Sequence, residues 1–508
     1  MKNRLKTNVI FNYIGQIYLA VIGIVILPFY LKLLDAESYG LIAFFTLLQS
    51  WMLLFDLGMS PTLGREVAIN NNGTNASKTY ILKLARSLET IFFIIAVVMI
   101  MTSLFLSHYI AIHWLKLNNL NVTEVANCLL LMGGMLGLRW FVSLYKSGIN
   151  GFEQQVWVNV INVIIITLRL PFPILLFMHF NMTITGYFIY QILLTIVEVL
   201  LYGIKFYSNL YLGRLSYFIK IPLLSPSCLK KTFPFMIGTA YTTSIWLFLT
   251  QLDKLLLSSF LKLSDFGYFM LVITLVNGIT MLATPVNNAI LPRMAYLLNL
   301  NKKDEMLGLY HKATRFISSV IFPIVFMLCL NAEKILYAWT KNTEASHWGR
   351  EILPLYALGN GLLALISFQY FLQYAHGKLK LHIVYNTVAF ILLIPLIYFF
   401  SRTYGAYGTG WIWLCLNIFT LFIWSGFVHH VYAPKHHMQW VLRDITLPLV
   451  ISFSVIFCMS RLYIDNVDYS SRVLFFLMIG MIVSFAAITC LIFSFWMEIN
   501  SYLKRRRV

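Results

Sequence analysis

Two arginines lie inside apolar stretches, where a permanent positive charge is energetically costly. Arg139 stands between MGGMLGL and WFVSLY, and Arg169 stands between NVIIITL and LPFPILLF. A charged side chain at the centre of a membrane helix costs about 2.5 to 3.5 kcal/mol on insertion scales, so such residues are candidates for function. A guanidinium binds phosphate through paired hydrogen bonds and stays charged at every accessible pH. We therefore interpret Arg139 and Arg169 as candidate ligands for a phosphate group.

A structural role is the main alternative for these arginines. Glu198 lies in a later apolar stretch and is placed to pair with Arg139. Such a buried ion pair would only hold helices together. One carboxylate neutralises one guanidinium, so the other cation remains uncompensated. The sequence therefore favours a cationic site even if Glu198 forms this pair.

Two acidic residues in apolar surroundings are candidates for binding a coupling ion. Asp56 and Asp253 each carry a carboxylate that can bind Na⁺ or take up a proton when it lies in a cavity. Each also has a structural alternative, which for Asp253 is an ion pair with its neighbour Lys254. No cofactor is expected beyond such a coupling ion, Na⁺ or H⁺, and no ligand spacing in the sequence is typical of a metal site.

Two further arginines follow apolar segments at what we expect to be the cytoplasmic side. Arg65 and Arg293 close the second and eighth predicted helices and are candidate first contacts for an anionic substrate group such as a phosphate. Residues in this position also serve as topology anchors or bind anionic lipid heads. Both interpretations stay open at this point.

The elements that must position these residues follow from the composition. The 508 residues are 59% hydrophobic and 11% charged, with a mean hydropathy of +0.77. This excludes a soluble globular domain, whose core cannot hide so much apolar surface. The net charge of +19 does not indicate nucleic-acid binding, because Lys and Arg are spread in short patches between apolar segments. Most of the six cysteines lie in apolar runs, so neither disulfides nor a zinc site is expected.

Apolar runs of about 20 residues predict membrane-spanning helices. The runs are continuous rather than alternating, which favours an all-α polytopic membrane protein. An even number of spans places both termini on one side, and the excess of Lys and Arg in alternate connections assigns that side to the cytoplasm. Fourteen spans are predicted, near residues 9–31, 39–59, 81–106, 126–148, 156–178, 184–206, 233–261, 266–290, 313–338, 352–374, 383–401, 405–430, 445–463 and 472–497.

A pattern in the first half of the sequence recurs in the second half. Gly267 follows Gly40 by 227 residues and Arg293 follows Arg65 by 228, and each arginine comes after an apolar helix and a proline. This spacing predicts two six-helix lobes related by a pseudo-two-fold axis along the membrane normal, as in alternating-access transporters. The predicted domains are an N-terminal lobe (1–206), a cytoplasmic linker that is in part an amphipathic surface helix (207–232), a C-terminal lobe (233–430), and two extra helices with a basic cytoplasmic tail (445–508).

Four groups of residues carry a resemblance to a known family. They are Leu34-Asp35 through Tyr39-Gly40, Asp56-Leu57-Gly58 with Arg65-Glu66, Asp253 through Gly267-Tyr268, and Gly151 with Asn159. In order and spacing they resemble the polysaccharide-exporter branch of the multidrug/oligosaccharidyl-lipid/polysaccharide (MOP) flippase superfamily, and within it the Wzx-type O-antigen flippases. The likeness spans about residues 8 to 430.

This resemblance implies a fold shared with MATE transporters and lipid II flippases. It implies a flippase of the bacterial inner membrane that serves lipopolysaccharide biosynthesis. Its substrate would be an undecaprenyl-pyrophosphate-linked oligosaccharide, such as an O-antigen repeat unit, carried from the cytoplasmic to the periplasmic leaflet. The implied partners are this glycan, membrane lipids and other polysaccharide assembly proteins, with no nucleic acid and no enzymatic activity.

Two other transport functions stay open as alternatives. A MATE-type cation-coupled drug antiporter typically has twelve helices and an acidic residue in the first, where this sequence offers only Asn8, Asn12 and Gln16. A lipid II flippase has fourteen helices, but that family typically places arginine in the first helix. No arginine occurs here between Arg4 and Arg65.

A membrane glycosyltransferase is the least favoured alternative. Asp35 and Glu37 resemble the acidic pair with which lipid-sugar-dependent enzymes hold a divalent metal. Those enzymes usually carry large outer loops or a terminal domain, and neither is predicted here.

Overall fold

The structure is a computed structural model that describes residues 2–71, 73–180, 182–210, 222–464 and 471–505, with side chains described except for residues 2–14, 17, 20 and 495–505. Helices account for almost all of these residues, and no β-strand occurs among them. The predicted all-α class is therefore confirmed.

The first half of the chain follows the order of its apolar segments. Its helices are α1 (Lys2–Leu33), α2 (Ala36–Phe55), α3 (Met59–Asn70), α4 (Asn75–Tyr109), α5 (Val122–Gly151), α6 (Gln155–Arg169), α7 (Pro171–Phe180), α8 (Ile184–Asn209) and α9 (Pro226–Phe260).

The second half continues with the long helix α10 and is interrupted by short π-helical turns. Its helices are α10 (Leu263–Asn299), α11 (Lys303–Leu330), α12 (Ala332–Thr340), α13 (Thr343–Gly349), α14 (Ile352–Ala375), α15 (Lys380–Phe419), α16 (Ser425–Tyr432), α17 (His437–Gln439), α18 (Leu447–Met459) and α19 (Arg472–Arg505). The π-helical turns of this half are Thr420–Trp424, Trp440–Thr446 and Ser460–Ile464.

Eleven of the described helices are long and apolar enough to cross a membrane, by length and composition. One of them, Lys380–Tyr432, is interrupted at Gly405, whose backbone angles (φ 57°, ψ −142°) lie outside the helical range. This break falls at the first residue of the predicted twelfth span, 405–430. The chain is a multi-pass membrane protein, and the count of fourteen spans stays a prediction.

The second predicted span is interrupted by a turn near its end. α2 ends at Phe55, and the turn that follows has left-handed φ values at Leu57 (48°) and Gly58 (72°). The predicted range 39–59 is therefore wrong at its end. Asp56 lies at the C-terminus of α2 instead of inside a continuous helix.

The fifth predicted span, 156–178, is divided into α6 and α7 at Leu170. Pro171 begins α7, and because proline has no backbone N–H it cannot continue the hydrogen-bond ladder of α6. A proline does not always end a helix in this chain, since Pro395 lies within α15 and the break of α15 comes later, at Gly405. The division at Leu170 places the end of α6, with Arg169, inside the bundle.

The chain divides into two compact units, Met1–Gly267 and Tyr268–Val508. In the first unit α5 is central and packs against α3, α4 and α8, while α9 packs on α2, α3 and α4. The predicted lobes follow the sequence repeat, and their boundaries stay a prediction. Residues 211–221 of the linker, which is predicted to be in part an amphipathic helix, and residues 506–508 of the basic tail lie outside the described residues.

In the second unit α11 is the central helix. It packs against α14, α18 and α19 and against the π-helical turn Trp440–Thr446. Trp440 is fully buried there and stacks on Tyr310 of α11, with ring centroids 6.1 Å apart. These contacts hold the polar end of α11 in a tightly packed environment.

Candidate functional site

A cavity of about 320 Å³ lies within the first unit, among α1, α2, α5, α6 and α8. It contains both arginines that the sequence singles out, together with the predicted partner Glu198. Its lining residues are Leu19, Met52, Arg139, Val142, Ser143, Lys146, Asn162, Ile165, Ile166, Arg169 and Glu198.

Arg169 and Glu198 form a buried ion pair across this cavity. The Nη2 atom of Arg169 lies 2.6 Å from Glu198 Oε2, and the two side chains are only 13% and 9% exposed. The same nitrogen lies 3.5 Å from the hydroxyl of Thr195, one turn before Glu198 on α8. The predicted alternative, in which Glu198 pairs with Arg139, is therefore wrong. Glu198 pairs with Arg169 because Arg169 on α6 and Glu198 on α8 lie where these two helices face each other.

Arg139 is held without a carboxylate. Its Nη1 atom donates to the side-chain oxygen of Gln49 on α2, and its guanidinium lies 5.9 Å from the centroid of the Phe45 ring. No ion pair to Arg139 is present among the described side chains. The Nε atoms of Arg139 and Arg169 are both buried without a hydrogen-bond partner. These two N–H groups are therefore available to donate hydrogen bonds to a ligand in the cavity.

Lys146 is a third cation in the cavity, and sequence analysis did not identify it. Its Nζ donates to Asn162 Oδ1 at 3.1 Å, and the same oxygen accepts a 2.8 Å hydrogen bond from the Tyr202 hydroxyl. The signal that could have found Lys146 is its position seven residues after Arg139, which places both on one face of α5. Lys146 lies near the end of the predicted fourth span, 126–148, where interfacial lysines are common, so its position alone does not set it apart.

The cavity therefore holds three cations and one carboxylate. Arg169 and Glu198 neutralise each other, whereas the hydrogen bonds that Arg139 and Lys146 donate to described side chains end on the neutral amide oxygens of Gln49 and Asn162. Charges that are removed from water without a counter-ion are costly to bury, so the site gains free energy when an anion enters. Guanidinium and ammonium groups together suit an anion with several oxygens, such as a phosphate or diphosphate.

The two candidate carboxylates for a coupling ion lie outside this cavity. Asp56 accepts hydrogen bonds from the hydroxyl and the backbone amide of Ser60 at the start of α3. Asp253 is paired with Lys254 at 3.0 Å, which is the structural alternative weighed for it. Their role in ion coupling stays a prediction.

Arg65 and Arg293 are likewise not among the residues that line the cavity. Arg65 lies on α3, pairs with Glu66 at 2.8 Å and stands 4.7 Å from the centroid of the Phe235 ring. Arg293 lies on α10, 5.2 Å from the centroid of the Tyr296 ring. A role of these two arginines in first contact with substrate stays a prediction.

Asp35 and Glu37 have structural roles in the first unit. Asp35 is the N-cap of α2 and accepts from the backbone amide of Ser38 at 2.8 Å. Glu37 is 3% exposed and accepts from the backbone amides of Asn118 and Asn119 at 2.7 and 2.8 Å. Both carboxylates already serve backbone donors, so they do not form the open acidic pair of a metal-dependent glycosyltransferase.

Comparison with solved structures shows the fold. The chain is similar to a lipid II flippase MurJ in an inward closed conformation, with a TM-score of 0.69 and 15% identity over 97% of this chain and 99% of that chain. It is also similar to an inward-facing MATE family multidrug resistance transporter of the MOP superfamily, with a TM-score of 0.63 and 14% identity over 83% and 96% of the two chains. A third similar structure is the MATE multidrug transporter DinF-BH, with a TM-score of 0.56 and 14% identity over 86% and 96%. The predicted fold of this superfamily is confirmed.

Comparison of sequences gives the family. No curated protein matches the chain significantly. A family model described as polysaccharide biosynthesis protein matches residues 5–298, which is more than half of the 508 residues. The chain therefore belongs to the polysaccharide biosynthesis protein family.

Proposed function

We propose that this protein is a flippase that carries an undecaprenyl-pyrophosphate-linked oligosaccharide, such as an O-antigen repeat unit, from the cytoplasmic to the periplasmic leaflet by alternating access. The observation that supports this proposal is the cavity with three cations and one carboxylate in a membrane protein of a polysaccharide biosynthesis family. A lipid-linked diphosphate is an anion that such a protein meets at the membrane.

The charges of the cavity suit a diphosphate diester. Such a group carries two negative charges, and Arg139 and Lys146 are the two cations left over once Glu198 neutralises Arg169. The cavity volume of about 320 Å³ is enough for the diphosphate but not for a whole oligosaccharide and prenyl chain. The cavity therefore recognises the part of the substrate that is common to all such lipids, which leaves the sugars to be recognised elsewhere.

A lipid II flippase is the second candidate, because the MurJ fold matches 97% of this chain. Its lipid carries the same diphosphate, so the cavity suits both substrates and the glycan alone distinguishes them. The cavity disfavours a drug antiporter with cationic substrates, because Arg139 and Lys146 repel a positively charged ligand.

A pair of charge-removing substitutions tests the proposed site. Arg139→Gln with Lys146→Gln removes both surplus cations and keeps the Arg169–Glu198 pair intact, so the protein should still fold. We expect surface glycan in a flippase-deficient host to fall at least tenfold relative to the wild-type chain. The matched control is Arg402→Gln together with Lys380→Gln, two exposed cations on α15. Normal glycan export by the cavity variant at equal membrane abundance would refute the assignment.

We also propose that the protein lies in the bacterial inner membrane with both termini in the cytoplasm. Lys302, between α10 and α11, is then cytoplasmic, and Glu344 of α13 is periplasmic. In a chain whose six native cysteines are replaced by serine, Glu344→Cys should react with an impermeant maleimide in intact spheroplasts, and Lys302→Cys should react only after lysis. The opposite labelling pattern would reverse the topology.

A further inference from the structure

The second unit contains a buried ionisable network that the proposed diphosphate site does not use. Asp444 is fully buried and lies in the π-helical turn Trp440–Thr446. Its Oδ1 atom accepts from Arg315 Nε at 3.0 Å and lies 2.9 Å from Arg315 Nη2. Its Oδ2 atom lies 2.5 Å from His311 Nδ1. Arg315 and Asp444 therefore form an ion pair of opposite charges, and the His311 ring contacts the second oxygen of the same carboxylate.

His311 connects this buried carboxylate to the surface. Its second ring nitrogen, Nε2, lies 3.0 Å from Nδ1 of His436. His436 is partly exposed and stands in the connection between α16 and α17. Asp444, His311 and His436 therefore form a continuous hydrogen-bonded chain, which we call the histidine relay.

The geometry of the two rings limits how many protons the histidine relay holds. A hydrogen bond between Nε2 of His311 and Nδ1 of His436 needs one hydrogen and one lone pair. Either ring can supply the hydrogen, so the contact persists when the pair is neutral and when it carries one extra proton. A second extra proton would place two N–H groups face to face and break the contact.

Other charged and titratable groups surround the histidine relay. Tyr310 lies beside His311 on α11, and its hydroxyl forms a 2.6 Å hydrogen bond with His429 Nε2 on α16. His429 Nδ1 lies 2.9 Å from Nδ1 of His437 on α17. At the start of α11, the charge of Lys303 lowers the pKa of His436 and the charge of Asp304 raises it.

Two features of this region point to function beyond packing. A buried ion pair is weak as a source of stability, because well-packed apolar residues often replace it at no cost. Ionisable groups in membrane segments are typical of proton and ion pathways. The π-helical turn that carries Asp444 is a second such feature, since insertions of this kind occur frequently at functional sites.

We propose that His311 and His436 form the one-proton coupling site of this transporter. In the uptake step a proton from water binds the pair, and His311 becomes an imidazolium with one N–H toward Asp444 and the other toward His436. The charge of Asp444, Arg315 and the two rings then rises from zero to plus one. In the release step the proton leaves through His436 to water, and the pair returns to neutral. The coupling to export rests on the flippase function proposed above.

This site fits proton exchange better than the two carboxylates predicted from sequence. Asp253 is neutralised by Lys254, and Asp56 accepts two hydrogen bonds from Ser60. The histidine relay combines a fixed countercharge, a titratable ring and a partly exposed exit.

A proton count tests the site without reference to transport. Purified wild-type protein and the variant His311→Gln/His436→Gln are titrated between about pH 8 and about pH 5. We expect the variant to take up one proton fewer than wild type, although it lacks two histidines. His430→Gln, which removes one exposed histidine on α16, is the matched control for the loss of a single histidine. A loss of two protons, or of none, would overturn the one-proton site.

A transport measurement tests the coupling. Proteoliposomes translocate undecaprenyl diphosphate bearing one fluorescent sugar, with and without an imposed pH gradient. We expect His311→Gln to lower the gradient stimulation, which is the ratio of the translocation rates with and without the pH gradient, at least fivefold. We expect the same loss of gradient stimulation for His436→Gln. This second variant keeps the test decisive if His311→Gln does not fold. Full stimulation in either folded variant would refute the coupling. Absence of translocation by wild type would instead refute the proposed flippase function.

Discussion

Gly267 lies directly against Gly40, the glycine with which the sequence repeat pairs it. A Cβ atom added to Gly267 would stand 3.1 Å from both the Cα and the amide nitrogen of Gly40. A Cβ on Gly40 would stand 2.0 Å from the carbonyl oxygen of Leu263. The two glycines therefore allow the starts of α2 and α10 to touch through their backbones.

This contact predicts that Gly40→Ala is destabilising. The nearest atom is a backbone oxygen that no side-chain movement can relieve, and overpacking of this kind costs about 1 to 3 kcal/mol. We expect a lower melting temperature in detergent and a lower yield of folded protein. Gly23→Ala is the matched control, because nothing lies within 4 Å of a Cβ at that position. Equal melting temperatures for the two variants would contradict the close contact.

Because Arg169 and Glu198 form a buried ion pair, we expect substitutions of these two residues to have strongly coupled effects on the free energy of unfolding. Removal of one partner leaves a buried charge alone and costs about 3 to 5 kcal/mol, whereas removal of both leaves none. We expect Arg169→Met/Glu198→Met to be more stable than either single variant. A double-mutant cycle of unfolding free energies measures this coupling. Additive effects of the two substitutions would show that the ion pair is absent in the membrane.

We expect the substitution of Lys146 to lower the affinity for an anion, which the sequence alone does not suggest. Lys146→Met removes one of the two surplus cations, and a charge-assisted hydrogen bond contributes about 1.5 to 3 kcal/mol. We expect the Kd for undecaprenyl diphosphate to rise at least tenfold, measured by fluorescence quenching in nanodiscs. Lys380→Met, at an exposed position on α15, should bind as wild type does. Unchanged affinity in Lys146→Met would remove this lysine from the site.

We expect the stability of the folded protein to depend on pH through His436. Burial, together with the positive charges of His311 and Lys303, lowers the pKa of His436 from its usual value of 6.5. Between the lowered pKa and 6.5 the unfolded chain therefore binds more protons than the folded protein, so stability increases as pH rises through this window. We expect His436→Gln to show a smaller increase in melting temperature across the window. A steeper dependence in the variant would give the opposite sign and refute the assignment.

The sequence alone was enough to identify the class of protein and the principal cations. Apolar runs of membrane length and continuous hydrophobicity are local properties, so they predicted an all-helical multi-pass chain without knowledge of any tertiary contact. Arg139 and Arg169 were found in the same way, because a charge inside an apolar run is visible in a short window. Turns were harder to predict: the break at Leu57 and Gly58 depends on backbone angles that a short apolar window does not show.

The tertiary structure decided which of these groups act together. Glu198 pairs with Arg169 rather than with Arg139 because the rotation and depth of α6 and α8 bring their side chains within 2.6 Å. Lys146 joins the cavity through the face of α5, and Asp444 meets His311 although more than a hundred residues separate them. Such pairings depend on how whole helices pack, and periodicity along one helix does not encode the rotation of its neighbour.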